Sequence, residues 1–345
     1  YFRGPYDFVD WKSKKSLTIG YRLTDVEGSI LFDGEVSVKG TGPFTVTPAI
    51  YEGPFVSNIT ENSVEIWCRT TLPVAASVVV NGKTYRDQEA SIFHLWKVEG
   101  LSSHETYPYT VEYGGLQQQY EVTTALPKGS KKPFVFGYAS DSRHASGAGE
   151  RKVYGTNAYI MKKIAALAYR ENAAFIQFTG DMINGYLRNN GEQQLQYTNW
   201  KKAVEPFWHY MPFYAAMGNH EALGYVFRSE DKKWKGFIDA FPYETKSAEA
   251  AFAEAFVNAV NGPVSEDGNK YDPSPNTVDF PSYDENVFYY TYGNVAMVVL
   301  NSDYWYAPII AKDSSTSGGL HGYIMDNQLE WLRETIAKLE SDKDI

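Results

Sequence analysis

The chain has 345 residues, 43% of them apolar, with a net charge of −10 and a sequence pI near 5.2. That length and apolar content predict two or three globular domains with proper cores, and the acidic balance argues against nucleic acid as a structural partner, since its binders carry a basic face. The longest apolar runs, such as 295–300, are too short to span a bilayer, and the lone Cys68 excludes an intramolecular disulfide.

The sequence starts at Tyr1 rather than Met, so a leading segment is expected to have been removed, and no signal peptide is visible to read. Residues 1–45 read as β-rich, with alternation over 16–23 and 35–39, and form either a small unit of their own or extra strands of the next domain. From 46 to 126 the apolar period is two. Val64, Ile66 and Cys68 share one face of a strand whose other face carries charge, which predicts a half-buried strand. Asn81-Gly82 between 76–80 and 83–85 is a two-residue hairpin signal. Leu101 precedes Tyr107 by six residues, and Tyr107, Tyr109, Val111 and Tyr113 alternate. This pattern resembles the fibronectin type III sandwich, in which such a Tyr braces a corner. The Pro/Gly/Lys stretch 127–133 is a linker. The many tyrosines fit ordinary strand propensity better than a sugar-binding surface.

Residues 134–345 alternate strand and helix. A strand at 134–138 runs toward Asp141. Ile160, Ile164, Leu167 and Ala168 predict a helix with one buried face. A strand at 175–178 delivers Asp181, a helix over 200–208 is ended by Pro206, and a strand at 212–217 delivers Asn219. Residues 224–285 are an insertion with one helix at 248–260, of a size that commonly shapes a substrate entrance. Strands at 287–292 and 295–301 flank Gly293-Asn294, and Leu329, Leu332, Ile336 and Leu339 mark a final helix. A buried strand should come next, so the natural protein is expected to continue past Ile345.

Two loop motifs carry the chemistry: Thr179-Gly180-Asp181 and Met217-Gly218-Asn219-His220-Glu221, each directly after a strand. Asp141 and Asp181 are 40 residues apart and Asp181 and Asn219 are 38 apart, room for one strand-helix-strand unit per interval. Open α/β sheets keep their chemistry at such strand ends. Taken singly, Asp181 is a turn, Asn219 a helix N-cap with Glu221 as first-turn charge, and His220 a loop histidine. Their order and spacing favour three oxygen ligands on one rim. His94, His104 and His209 read as structural, and His321 as part of a loop.

That order resembles the calcineurin-like metallophosphoesterase superfamily, and the sandwich ahead of it resembles the arrangement of the purple acid phosphatase branch. The resemblance covers about residues 134–345. It implies a multidomain chain in which an all-β sandwich (46–126) precedes an α/β metallophosphoesterase sandwich of αββα layers, incomplete at its C-terminus because the family's last two His blocks are missing. It implies a hydrolase of phosphomonoesters or phosphodiesters with two divalent or trivalent metal ions, Mn, Fe or Zn, a small phosphoester as substrate, and export from the cytoplasm. By the same analogy Asp181 bridges the metals, Asp141 and Asn219 each bind one, His220 serves the leaving group, and Glu221 orients it. Two positions depart from the pattern. Arg143 stands where the superfamily usually has a His; with no lone pair to donate it cannot ligate a metal, but it can grip a phosphate. His144 beside it is taken as substrate-facing. Asn184 stands where purple acid phosphatases have a Tyr, with Tyr186 a poor substitute. The other reading is a noncatalytic surface or carbohydrate-binding protein on the same scaffold.

Overall fold

The computed structural model describes residues 11–185, 187, 189–222, 226–228, 235–237, 247–270, 272, 275–278, 280–304 and 322–345. Tyr186 and His321 lie outside the described residues. The described residues begin with a short helix α1 (Trp11–Lys14) and strands β1 (Ser16–Thr24), β2 (Ile30–Lys39) and β3 (Thr45–Thr47), which pair antiparallel in that order. They form a sheet of their own and add no strand to the sheets that come after them. This first sheet leans on the later part of the chain: Tyr154 N–H donates to the Ile30 carbonyl at 2.8 Å and Asn199 Nδ2 to the Leu31 carbonyl at 2.9 Å.

Seven strands follow: β4 (Ile50–Ser57), β5 (Ser63–Val74), β6 (Ala76–Val80), β7 (Lys83–Arg86), β8 (Ser91–Glu99), β9 (Thr106–Tyr113) and β10 (Leu116–Thr123). They make two sheets, β4-β5-β8 and β10-β9-β6-β7, a strand order consistent with a fibronectin type III-like sandwich. Asn81 and Gly82, at φ +49° and +73°, turn the β6–β7 hairpin, the backbone that an Asn-Gly pair tolerates best. Ser102 N–H donates to the Tyr107 hydroxyl at 2.9 Å, so this Tyr does brace its corner. One expectation changes. Strand β5 is buried on both faces, because Trp67, opposite Val64, Ile66 and Cys68, is itself fully buried.

The remaining elements are β11 (Gly137–Ala139), α2 (Ala158–Arg170), β12 (Ile176–Phe178), α3 (Asn190–Trp208), β13 (Phe213–Ala215), α4 (Asn219–Ala222), the pair β14 (Val226–Arg228) and β15 (Lys235–Phe237), α5 (Ala248–Ala255), the hairpin β16 (Phe288–Tyr292) and β17 (Val295–Val299), and α6 (Asp326–Glu340). Strands β11, β12 and β13 are parallel and in that order. One face of this sheet packs on α3, with Phe178 and Phe213 against Trp200 at ring separations of 5.2 and 6.3 Å. The other face packs on the hairpin, where Tyr214 stacks on Tyr290 at 3.8 Å. Tyr289, one residue earlier and so on the far side of β16, meets Trp331 of α6 at 6.4 Å. Helices, sheet, hairpin and helix therefore lie in an αββα sequence of layers.

Two helices differ from their sequence reading. In α2 the buried stripe is Ala158, Met161, Ala165 and Ala168, whereas Ile160 and Leu167 are 41% and 52% exposed. Three alanines and Met161 face inward where α2 lies against α3, and Ile160 and Leu167 turn out. Helix α3 starts ten residues before Trp200, where the Asn189 side chain accepts the Glu192 N–H at 3.0 Å, and it runs through Pro206 to Trp208. Asn189-x-x-Glu192 is a helix-start signal that the aromatic run at its other end obscured.

The sandwich and the parallel sheet share one core through α3. Trp67 meets Trp208 edge-on at 5.9 Å, and Trp208 Nε1 donates to the Val56 carbonyl at 2.9 Å. Beneath them Lys201 Nζ reaches Glu52 of β4 at 2.6 Å and the Ala255 carbonyl at 2.9 Å, with Lys201 and Glu52 each 1% exposed. Thr198 donates a hydroxyl to the same carboxylate. Burial lowers the Lys201 ammonium and Glu52 beside it opposes that shift. Without such a partner, burying an ammonium costs several kcal/mol, about enough to neutralise it.

Candidate active site

The register Ala139↔Phe178↔Ala215 aligns the three parallel strands, so the loops carrying Asp141, Asp181 and Asn219 leave the same edge of the sheet. Neighbouring strands stand about 4.8 Å apart. Pairing persists past the strand ends: Thr179 N–H donates to the Ala139 carbonyl at 2.9 Å and Asp141 N–H to the Gly180 carbonyl at 3.1 Å. Asp141 and Asp181 take positive φ, +58° and +56°. Such backbone is unusual for residues with a Cβ, although Asp tolerates it best.

Two glycines let the loops touch. A Cβ on Gly180 would lie 2.5 Å from the Gly218 Cα, and one on Gly218 would lie 2.5 Å from Asp181 Oδ1. The two motifs interlock at these glycines. Glu221 then ties them. Its carboxylate, fully buried, accepts the N–H groups of Gly218 and Asp181 on Oε2, both at 2.7 Å, and those of Met182 and Ile183 on Oε1 at 2.8 and 3.2 Å. Burial, with the Asp181 carboxylate next, pushes Glu221 up to about 8, and the backbone N–H groups of Gly218, Asp181 and Ile183 pull it back.

His220 N–H donates to Asp181 Oδ1 at 3.0 Å, and the ring nitrogen Nδ1 bonds the Asn184 carbonyl at 2.7 Å. A carbonyl only accepts, so Nδ1 carries a proton and Nε2 is the nitrogen turned to the rim. There it meets the Arg143 guanidinium, whose Nε is 3.6 Å from Asp181 Oδ2. The ring partner is thus Asn184, where Glu221 was expected to orient the imidazole; Glu221 acts on the backbone instead. Asn184 carried no functional reading of its own because its contribution is a main-chain oxygen.

Asp181 is 8% exposed, whereas Asp141 is open to solvent, with the Ser140 hydroxyl donating to its Oδ2 at 2.5 Å. Asn219 opens helix α4 at the edge of β13. His144 is half-buried, its Nδ1 sealed without a hydrogen-bond partner, and burial, then Lys152, holds its pKa below the usual imidazole range. Among the described residues no group of three or more His, Cys, Asp or Glu side chains is gathered so as to hold a metal ion. The donors at the rim are oxygens of two carboxylates and one carboxamide, a set that suits hard or borderline cations. The Arg143 cation facing Asp181 Oδ2 shows that this carboxylate oxygen already draws positive charge. Asp141, Asp181 and Asn219 suit such a cation by the type of their donor atoms.

Ser142, between Asp141 and Arg143, went unnoticed in the sequence. It is buried, accepts Trp200 Nε1 at 2.8 Å and donates to the Met182 carbonyl at 3.2 Å, which pins the loop that presents Arg143. Among the described residues no helix is long and apolar enough to cross a membrane.

Among solved structures, that of PhoD is similar at a TM-score of 0.44 and 14% identity, covering 74% of this chain and 52% of that one. The purple acid phosphatase PPD1 from yellow lupin (Lupinus luteus) seeds is similar at a TM-score of 0.46 and 13% identity, covering 77% and 49%. The chain spans about half the length of each. The calcineurin-like phosphoesterase profile matches residues 144–343, beginning just after Asp141 and Arg143. On that match, which takes in Gly-Asp, Gly-Asn-His-Glu and the layers that support them, the chain belongs to the calcineurin-like phosphoesterase family.

Proposed function

We propose that this protein is a metal-dependent phosphoester hydrolase in which residues 134–345 carry the chemistry and residues 46–126 brace them. The observation that carries the reading is the meeting of Asp181, His220 and Arg143 on one rim, with Arg143 Nε 3.6 Å from Asp181 Oδ2. Asp141, Asp181 and Asn219 would hold the cations, two of Mn, Fe or Zn. Bound there, such cations lower the pKa of an attacking water and spread the charge of the phosphoryl oxygens.

The chain's own residues do the rest. The bond to Asn184 keeps His220 Nε2 facing the rim, where it would pass a proton to the leaving oxygen once Arg143 has turned from it to the phosphate. Arg143 carries a permanent planar cation that matches two phosphate oxygens at once. Its present partners, Asp181 and His220, hold that guanidinium where an incoming phosphoryl group would find it. Glu221 keeps both loops at fixed separation.

Metal analysis of the purified protein, together with turnover of a chromogenic phosphomonoester, tests the reading. Asp181→Ala and His220→Ala should each abolish most turnover, the first with loss of metal and the second with metal retained. Arg143→Ala should raise KM more than it changes metal content. A metal-replete wild-type protein inert toward both monoesters and diesters would overturn the assignment.

A further inference from the structure

Helix α3 reaches each of the three site loops with one side chain. Gln193 Nε2 donates to the Glu221 carbonyl at 3.1 Å, Gln196 Oε1 accepts from the 184–185 loop, and Trp200 Nε1 donates to Ser142 Oγ. Spacings of three and four put these residues on one helical face. Of the three, Gln196 acts on the group whose orientation matters to chemistry. Its Oε1 accepts the N–H of Asn184 at 3.0 Å and of Gly185 at 3.2 Å, and the Asn184 carbonyl takes the proton on His220 Nδ1. Two further contacts leave this chain of bonds little slack. A Cβ on Gly155 would lie 2.5 Å from Gln196 Cδ, so the amide fills the space beside that glycine, and Gly185 packs directly on the His220 backbone carbonyl.

We propose that Gln196 is a positioning residue for His220: by fixing the Asn184 peptide it keeps the imidazole proton on Nδ1 and Nε2 on the substrate side. The inference rests on the catalytic reading of His220 above. Gln196 is 2% exposed, so no water replaces its oxygen when it is lost. Both N–H groups would then seek other acceptors, and the peptide that carries the Asn184 carbonyl would turn with them. Gln196→Met removes the acceptor at similar volume, and Gln196→Glu retains it.

The sequence holds six histidines, so this 345-residue chain labelled with 15N-histidine yields a resolvable set of imidazole correlations, with His220 assigned by its loss in His220→Ala. The wild-type protein and Gln196→Glu should show His220 protonated on Nδ1 alone in the neutral ring, and Gln196→Met should show a mixture of tautomers. In turnover, Gln196→Met should lower kcat for an alkyl phosphate at least about tenfold more than for p-nitrophenyl phosphate, because only the alkoxide needs the proton. KM should barely change, Gln196→Glu should restore the rate, and Gln196→Met should add nothing to His220→Ala. An unchanged tautomer in Gln196→Met, or an equal loss on both substrates, would overturn the role of Gln196. A wild-type protein inert toward every phosphoester would overturn the hydrolase reading instead, and the tautomer measurement would still decide the positioning claim.

Discussion

The Glu221 carboxylate accepts the backbone N–H of Asp181 at 2.7 Å, across 40 residues of sequence, and so joins the second loop of the site to the third. With Gly218, Met182 and Ile183 as further donors, this carboxylate is surrounded by N–H groups. Glu221→Gln would turn an NH2 toward two of them. Loss of two buried acceptor bonds predicts about 2–4 kcal/mol less stability by urea unfolding, with turnover falling alongside. A loss under about 1 kcal/mol would mean that the loops hold together without this staple.

The glycine pair makes a steric prediction. Gly180→Ala places a methyl 2.5 Å from the Gly218 Cα, at a residue whose φ is +97°. Neither contact is with a flexible side-chain end, so the loops must separate. The variant should lose most metal affinity while far-UV circular dichroism stays native, since core strands β12 and β13 end before the motif. Retention of wild-type metal stoichiometry and affinity would refute the interlock.

The Lys201–Glu52 pair sets a third test. Without Lys201, buried Glu52 keeps only Arg69, at 3.6 Å, and the Thr198 hydroxyl, so Lys201→Met should cost about 3 kcal/mol, the lower end for breaking a buried pair. The double variant Lys201→Met with Glu52→Leu should recover much of that loss, because two apolar groups need no partner and Arg69 keeps the Glu254 carbonyl. Equal stability of the single and double variants would argue that the pair contributes nothing specific to joining sandwich and sheet.

His209 gives the sandwich contact a pH dependence. Its ring is 7% exposed, bonds the Pro54 carbonyl at 2.6 Å through Nδ1 and stacks on Tyr120 at 3.9 Å. Burial pushes its pKa from 6.5 down to about 4, against the opposing Pro54 bond. The folded state therefore binds fewer protons than the unfolded one between these values, and stability present above pH 6.5 is lost as pH falls toward 4. A difference of that size is worth up to about 3 kcal/mol. His209→Gln, which can still donate to Pro54, should lose correspondingly less stability than wild type between pH 7 and pH 4; parallel pH profiles would discount the buried imidazole.

Elements whose signal is local were legible in advance. The Asn81-Gly82 and Gly293-Asn294 hairpins follow from backbone preferences at two residues, and the Tyr107 corner from a short spacing. Face assignment was less secure. Helix α2 buries Ala158, Met161 and Ala165 where the larger Ile160 and Leu167 were expected, since the closeness of α3, a non-local fact, decides which residues fit. Trp67 likewise looked free to face solvent until Trp208, far along the sequence at the end of α3, packed against it.

Sequence alone determined the order Asp141, Asp181, Asn219-His220-Glu221 and the strand before each, because motif identity and strand propensity are properties of short segments. The three-dimensional fold decided what those residues touch. Main-chain groups such as the Asn184 carbonyl and the Asp181 N–H are identical at every position and leave no mark in the letters. Only the packing of α3 and the glycine-to-glycine approach of two loops select which of them meet His220 and Glu221.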